Sequence, residues 1–487
     1  MAESIYFDVI VVGAGNAALC AALSARESGA SVAVLEKAPP SSQGGNCPYT
    51  GGGFRFTHEG LDDLRSLLPG EADLGLASME PYTPADFRRH FAEATHGDTN
   101  EELSEVVIAQ SRPTIDWMHS RGVTWEVSIS PALASAPSVI PNQVGLSALG
   151  SGPGLVEMLT RSARRAGIQV LYETKMVELM QGDRGQVCGL IAQDADGRHV
   201  IRSKAVVLAC GGFEANAEMR VKYLGAHWER AKVRGSRYNT GDGHRAALAV
   251  GAAPAGQWTG CHGTPIDIGA PATGDLPITD AMPRRSYPLG IMVNVDGRRF
   301  VDEGASFAEQ TFVRVGDAVL AQERSIAFQI FDARSTPLLE ERYGGSSPAR
   351  GGTIEELARQ IGVSPGALCA TVEAYNAEAH DAEYAPRSLD GNETRTISPA
   401  KSNWAIRIDR PPFLAYRVTG GITYTYGGLR IDAHARVLDM EDRPIEGLYA
   451  AGEIVGGIFY YNSLRAAGLM HGSVFGRLGG THAARLG

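Results

Sequence analysis

The sequence predicts an α/β fold in which a parallel-sheet domain is interrupted by an inserted α+β capping domain. Three observations predict it. The N-terminus reads as strand, helix, strand: an apolar run at Phe7–Val12, a small-residue run from Ala17 to Ser28, and a second apolar run at Ser31–Leu35. From about Gln257 to Tyr416 the texture changes, with frequent proline and polar loops, and the short strands IMVNV and IAFQIF alternate with helical pieces such as Thr353 to Gln360. GGLRID and GLYAAGE then restore the alternation of strand and glycine turn. The expected domains are therefore 1–256 (first part), 257–418 (cap) and 419–487 (return to the first domain).

Between these landmarks the reading runs in order. A helical region is expected from about Pro84 to Arg121, then a turn-rich segment ending in GSGPG, a helix from Gly154 to Ala166 and a strand at Ile168–Tyr172. Met176–Ala192 and His199–Arg202 read as a hairpin or meander, and KAVVLACGGF as a buried strand entering a glycine turn. No internal repeat is evident.

At 487 residues the chain can bury a large core without metal or disulfides. Its 59 glycines exceed the usual ~7%, so tight turns and close backbone approaches are expected. The balance of 45 basic and 55 acidic residues, net −10, argues against nucleic acid as a partner. Cys20, Cys47, Cys188, Cys210, Cys261 and Cys369 have no CxxC or metal-like spacing, which reads as reduced thiols in a cytoplasmic protein with no metal site. The start lacks a basic region and reads as a strand rather than a signal peptide, and no apolar segment is long enough for an integral membrane helix.

Gly13-Ala14-Gly15-Asn16-Ala17-Ala18 fits G-x-G-x-x-G/A between the first strand and helix. Gly13 makes the turn, Gly15 admits a pyrophosphate, and Ala18 keeps helix and strand close. The phosphate then meets the helix N-terminus, where unpaired N–H groups and the dipole favour negative charge. Glu36 ends the second strand, where it can accept from ribose hydroxyls and repel a 2′-phosphate, disfavouring NADP. Gly150-Ser151-Gly152-Pro153-Gly154 has a similar form but follows no strand and lacks the later acid, so it reads as a helix-initiating turn. No second fingerprint for NAD(P)H is present.

With VIVVGAG...VLEK, GGN...GGG, NTGDG and GLYAAGE...GG, the chain resembles the fumarate reductase and succinate dehydrogenase flavoprotein superfamily along nearly its whole length. GGGFRFTHEG, SYPLGIMVNVDGRRFVDEGASF, GGITYTYGGL and FYYN...GL...FGR look like the tricarballylate dehydrogenase branch, with a more distant similarity to ketosteroid dehydrogenases. The resemblance implies a Rossmann-type FAD-binding domain, with FAD contacts at Gly13, Gly15, Glu36, Lys37, Gly44, Gly45, Asn46, Thr50, Gly51 and Gly52. Val177 is implied as a backbone contact to adenine, and Asp242, Gly452, Glu453, Gly468 and Leu469 as further positions. The covalent histidine of succinate dehydrogenases is missing, Asn46-Cys47-Pro48 standing nearest, so the FAD is expected to be non-covalent.

The resemblance further implies an FAD-dependent oxidation of a CH–CH bond next to a carbonyl or carboxylate in a small acid, such as a cyclic keto acid, with hydride passing to flavin N5. A fumarate-reductase-like reductase of a C=C bond, tricarballylate dehydrogenase activity and a non-enzymatic flavin carrier are the alternatives. His262 stands where fumarate reductases carry a histidine on a substrate carboxylate, or else is a buried structural histidine. Tyr424 lies beside another substrate histidine position, or else packs against the cap. Arg465 could clamp a carboxylate with its planar fork. Ala308 stands about where the proton-transferring arginine is expected, while Arg299 and Glu303 read as structural. A tyrosine is therefore expected as the base, Tyr424 first and Tyr461 second, with a pKa below the usual ~10 through cations such as Arg465. Ala466 to Gly468 precede a helix whose N-terminus should face the flavin. Oxygen, a quinone or an electron-transfer protein would take the electrons.

Overall fold

In the computed structural model the described residues are 5–68, 80–128 and 145–486, and the chain divides into two compact units. The first unit comprises Met1–Met219, Gly235–Cys261 and Tyr424–Gly487, and the second comprises Arg220–Arg234 and His262–Thr423. The second unit thus takes the strip Arg220–Arg234, which the sequence boundaries leave in the first domain. The strip belongs there because its strand Lys232–Val233 pairs in parallel with Gly421 and Ile422.

In the first unit, β1 (Ile5–Val12) lies parallel to β2 (Val32–Leu35), Val9 opposite Val32 and Val12 opposite Leu35. Its other edge pairs in parallel with Gly197–Leu208. A strand with neighbours on both edges and packing on both faces needs an unbroken apolar run, and Val9 to Val12 are all buried. Pro444–Ala450 adds a parallel strand beside Gly197–Leu208, so the C-terminal return completes the N-terminal sheet. The expected meander is three antiparallel strands, Lys175–Gln181, Val187–Asp194 and Gly197–Leu208, the last absorbing both His199–Arg202 and KAVVL.

Helix α1 (Asn16–Glu27) and the C-terminal helix Ala467–Ala483 pack in unusually close contact. Gly472, Gly476 and Gly480 recur at every fourth position and so share one helix face. A Cβ on Gly476 would stand 2.3 Å from the Ala17 carbonyl oxygen, and one on Gly480 2.1 Å from that of Ala21. Polar ties fix the register: Asn16 Nδ2 donates to Leu469 O at 2.9 Å and to Ser473 Oγ at 2.8 Å.

The helical region expected from Pro84 to Arg121 is two helices, Pro84–Thr95 and Glu101–Ser120. A reciprocal Thr83–Asp86 capping box starts the first, and His96 in the left-handed region ends it. The turn-rich segment expected before GSGPG lies largely outside the described residues. GSGPG opens the helix Ser151–Arg165 as expected, but, against the expectation, it does follow a strand, Gly145–Ala148, which pairs with Trp125–Ser128. Among the described residues no helix is long and apolar enough to cross a membrane, and no group of His, Cys, Asp or Glu is placed to hold a metal ion.

The second unit is built on Phe413–Thr425, which pairs antiparallel with Ala327–Phe331 and Ala349–Gly351 and also pairs with Cys261–Asp267. Ile291–Asn294 continues the sheet antiparallel to Ala327–Phe331. Side chains alternate between faces, as strand geometry requires. Ile291, Val293, Phe328 and Ile330 pack with Leu357, Leu368, Val372 and Tyr375 of the helices Ile354–Ile361 and Pro365–Glu378. Met292, Ala327 and Val418 pack with Val315 and Val319 of the helix Ala308–Leu320.

Candidate active site

The glycine turn after β1 has the geometry a dinucleotide cradle needs. Gly13 has φ 105°, and a Cβ there would lie 2.4 Å from Ala209 O. Gly15 N-caps α1 without a side-chain cap, leaving that end to backbone N–H groups, one of which, Asn16 N–H, donates to Cys47 Sγ at 3.2 Å. Ala18 is fully buried against the sheet. Glu36 is buried and accepts from Ala14 N at 3.0 Å and Ala38 N at 2.8 Å. Burial raises its carboxyl and those backbone donors oppose the shift. A carboxylate offers about four acceptor sites, so ribose hydroxyls can still be accommodated.

The GGN...GGG segment lines the same unit. Gly44 and Gly45 have positive φ, and a Cβ on Gly45 would meet Asn239 at 3.4 Å. Thr50 Oγ1 donates to Cys47 O at 2.8 Å and accepts from Gly52 N at 3.1 Å. Beyond the adjoining residues and the helix's own backbone, nothing lies within 4 Å of where a Cβ would stand on Gly51 or on Gly468. The C-terminal helix, like α1, begins without a side-chain cap, at Ala466 with φ 62°. Two uncapped helix starts, an open glycine cradle and a buried carboxylate suit the anionic pyrophosphate and the hydroxyls of a bound FAD.

Asn46 and Glu453 meet in a buried polar cluster. Asn46 Nδ2 donates to Glu214 Oε1 at 2.8 Å and to Glu453 Oε2 at 3.3 Å, and Asn239 Nδ2 donates to Glu214 Oε1 at 2.6 Å. Thr425 N donates to Glu453 Oε1 at 3.0 Å. Burial and the Glu214 carboxylate hold Glu453 well above the ordinary carboxylate range. Lys37 and Asp242 pair at 2.7 Å, and Asp242 also meets Lys175 at 3.1 Å and Arg245. These partners lower the Asp242 pKa against its burial. Val177 lies half-buried in Lys175–Gln181, and Gly452 has φ 80° with its Cβ position 2.9 Å from Ala17 Cβ. Leu469 offers its carbonyl to Asn16.

The tyrosine candidates separate. Tyr424 packs edge-on to Tyr426 at 5.6 Å and against Phe459 at 6.2 Å. Burial and Glu453 raise its pKa above the usual tyrosine value, and a hydrogen bond with Ser463 opposes them. The net shift is upward, so the expected lowering of the phenol below the usual tyrosine value is corrected to a rise. Arg465 is exposed and its carbonyl accepts from Arg55 Nε at 2.8 Å. Tyr461 is 45% exposed with φ 60°, and its hydroxyl donates to Asp98 at 2.9 Å. That carboxylate raises the Tyr461 pKa.

His262 belongs to the second unit, on Cys261–Asp267, with its ring 4.8 Å from that of Phe312. Burial and the charges of Arg285 and Arg234 hold it well below the usual imidazole value, so it is neutral at pH 7. Ala308 begins its helix and accepts at its carbonyl from the Tyr287 hydroxyl at 3.3 Å. Arg299 and Glu303 form a buried ion pair at 2.5 Å, and Glu303 also accepts from Met292 N at 2.7 Å. Arg234, Arg285 and Glu214 are absent from the sequence reading. They sit in KVRGS, PRRSY and GGFEAN, where nothing in the spacing separates them from surface charges.

The FAD binding domain family matches residues 8–469. The protein named "Probable fumarate reductase Ifc3" from Shewanella frigidimarina is 29% identical over 98% of this chain and 74% of its own length. A 3-oxosteroid 1-dehydrogenase of Mycobacterium tuberculosis is 28% identical over 92% of each chain. Among solved structures, the open conformation of a flavocytochrome c3 fumarate reductase superposes with TM-score 0.76 at 26% identity, covering all of this chain and 79% of that one. With a glycine cradle, uncapped helix starts and a match that runs almost from end to end, the chain belongs to the FAD binding domain family, as a fumarate-reductase-like flavoprotein oxidoreductase whose cofactor is FAD.

Proposed function

We propose that the protein is an FAD-dependent dehydrogenase (desaturase) that acts on a CH–CH bond α,β to a carbonyl or carboxylate in a small acid, with Tyr424 moving the proton. The observation that carries this is the hydroxyl cluster of Tyr424 and Ser463, half-buried beside Tyr426 in the FAD-binding unit. Fumarate reductases and 3-oxosteroid dehydrogenases among the relatives support the CH–CH/C=C reaction class. Bound FAD supplies the hydride acceptor or donor. Tyr424 takes the proton from the α-carbon, and Ser463 orients the phenol and favours its ionised form. Non-covalent FAD fits the donor set, since Cys47, near the sequence position of the missing histidine, is half-buried and desolvation raises its thiol to about 11. As a neutral imidazole, His262 would serve as a hydrogen-bonding group rather than a cation.

One observation favours the opposite direction as a second reading. A phenol raised by burial rests protonated at neutral pH, ready to donate to the carbon of an enoate while hydride is delivered to its neighbour. Anaerobic flavin absorbance separates the readings. Bleaching by tricarballylate, succinate, a cyclic keto acid or a 3-ketosteroid supports dehydrogenation, and reoxidation of reduced flavin by an enoate supports reduction. Neither response would leave a flavin carrier without CH–CH chemistry.

A further inference from the structure

The second unit holds two arginines, Arg234 buried and Arg285 partly buried, whose charges have no ion-pair partner among the described residues. Lys232–Val233 pairs with Gly421 and Ile422, which brings Arg234 beside Thr423. Arg234 N donates to Ile422 O at 2.7 Å and Nη1 to Thr423 Oγ1 at 2.9 Å, while its buried Nε has no partner. Arg285 is set from the other side. Pro283 bridges Ile266, and Arg284 N donates to Pro265 O at 3.0 Å, which places Arg285 Nε 3.2 Å from Thr264 Oγ1. Its guanidinium lies 4.0 Å from the Phe312 ring centre, on the ring that His262 also packs against. His262 and Thr264 are two apart on one strand and so share a face. Arg285 lowers the pKa of Arg234, and both arginines lower that of His262, so the imidazole lies in the field of both.

Among the described residues the other buried arginines have an ion pair or carbonyl partners, although Nε of Arg284 and of Arg334 is unpartnered like that of Arg234. Arg284 pairs with Asp267, Arg299 with Glu303, and Arg334 with Asp381 and Asp409, while Arg220 donates to the carbonyls of Trp228 and Glu229. Near the unpaired two, Glu340 accepts from the Arg285 backbone N–H at 3.2 Å and pairs with Arg342 at 3.7 Å. Asp280 acts on Arg234, and Glu340 and Glu309 act on Arg285, without forming an ion pair, and Arg342 adds a further positive charge. Burying like charges without a counter-ion is unfavourable, so a fold that keeps both is arranged for an anion that arrives from outside. A guanidinium fork matches a carboxylate in geometry as well as charge.

We propose that Arg234 and Arg285, set by Thr423 and Thr264, form a clamp for a carboxylate of the substrate, so that the substrate is an anionic acid and not a neutral ketone. This rests on the reading under Proposed function and decides between the two kinds of relative, the fumarate reductases and the 3-oxosteroid dehydrogenases.

The test is calorimetric binding to the FAD-loaded protein, with tricarballylate, succinate and 4-androstene-3,17-dione as probes. Tricarballylate or succinate should bind, and Arg234→Gln and Arg285→Gln should each weaken that binding about 10- to 100-fold, as expected for a charged hydrogen bond to a carboxylate. Without ligand, Arg285→Gln should melt at the same temperature or higher, because it removes a partly buried charge that has no ion-pair partner. A structural arginine would instead give a lower melting temperature and unchanged binding, and that result overturns the proposal. So does failure of both carboxylates to bind the wild-type protein. Should a glutamine variant fail to fold, Arg234→Lys and Arg285→Lys keep the charge and lose the fork, and wild-type affinity in both would overturn it equally. Arginine-dependent binding without any flavin bleaching or reoxidation would leave the clamp standing and remove the redox reading. Bleaching by the neutral steroid with no carboxylate binding would do the reverse.

Discussion

The carboxylates of Glu214 and Glu453 accept from the same Asn46 amide nitrogen, at 2.8 and 3.3 Å. Two carboxylates this close and this dry cannot both ionise freely, and the cost falls on Glu453, whose pKa is pushed well above the ordinary range. A carboxyl raised on folding contributes stability that is complete below its unfolded value of ~4.3 and is lost as pH rises through the folded value. Glu453→Gln removes that proton uptake. The melting temperature of the variant should therefore fall less between pH 5 and pH 8 than that of the wild type, and parallel curves would show that the charge is shared elsewhere.

Gly15 faces the Gly44 carbonyl, and a Cβ there would stand 3.1 Å from that oxygen. Valine adds two further methyl groups at the uncapped start of α1, where the pyrophosphate is expected. Gly15→Val should be isolated with little FAD, read from the ratio of flavin to protein absorbance. Full occupancy would remove the cofactor from this turn.

Tyr424→Phe keeps the ring that packs on Tyr426 and Phe459 and removes only the hydroxyl. Loss of a proton-transfer group should lower kcat by ~10²- to 10⁴-fold while FAD content is unchanged. Tyr461→Phe, whose hydroxyl is engaged with Asp98, should turn over nearly as the wild type. Because burial raises the Tyr424 phenol, dehydrogenation should speed up with pH and show no plateau up to ~10, the ordinary tyrosine value. Reduction of an enoate should hold its rate across neutral pH and decline only in strong alkali. A dehydrogenation rate flat from pH 7 to 10 would remove the phenol from the proton path.

Gly476→Leu should separate the C-terminal helix from α1, since its Cβ alone would meet the Ala17 carbonyl oxygen at 2.3 Å. Overpacking of this kind costs about 1–3 kcal/mol, and more where backbone blocks relaxation. A lower melting temperature and weaker FAD retention in thermal-shift measurements are expected together. Unaltered values of both would mean that the helices can shift apart without harm.

Much of the first unit was readable because its rules are local. Val9–Val12 had to be a two-sided strand, Gly13 and Gly15 had to be a tight turn, and Glu36 followed at the end of the next strand. The strand–glycine alternation of GLYAAGE likewise marked the return. The second unit was less legible. Lys232–Val233 is two residues long and is a strand only because a distant partner lies beside it. Arg234 and Arg285 look like any surface arginine until folding removes their counter-ions. The Tyr424 pKa was misread for the same reason: Arg465 is close in sequence pattern, whereas Glu453 and burial are what the phenol meets.

The hydrogen bond from Asn16 to Ser473 spans 457 positions of the chain. At ~5–20 residues per second, a ribosome needs roughly 25 to 90 s between making one partner and the other. Throughout that interval the small-residue face of α1 lacks the helix that covers it, and the parallel sheet lacks Pro444–Ala450. The nascent chain thus carries exposed apolar surface until Ala467–Ala483 has been made, and an open strand edge until Pro444–Ala450 has. Removal of Ala467–Ala483 would make the uncovered α1 face permanent.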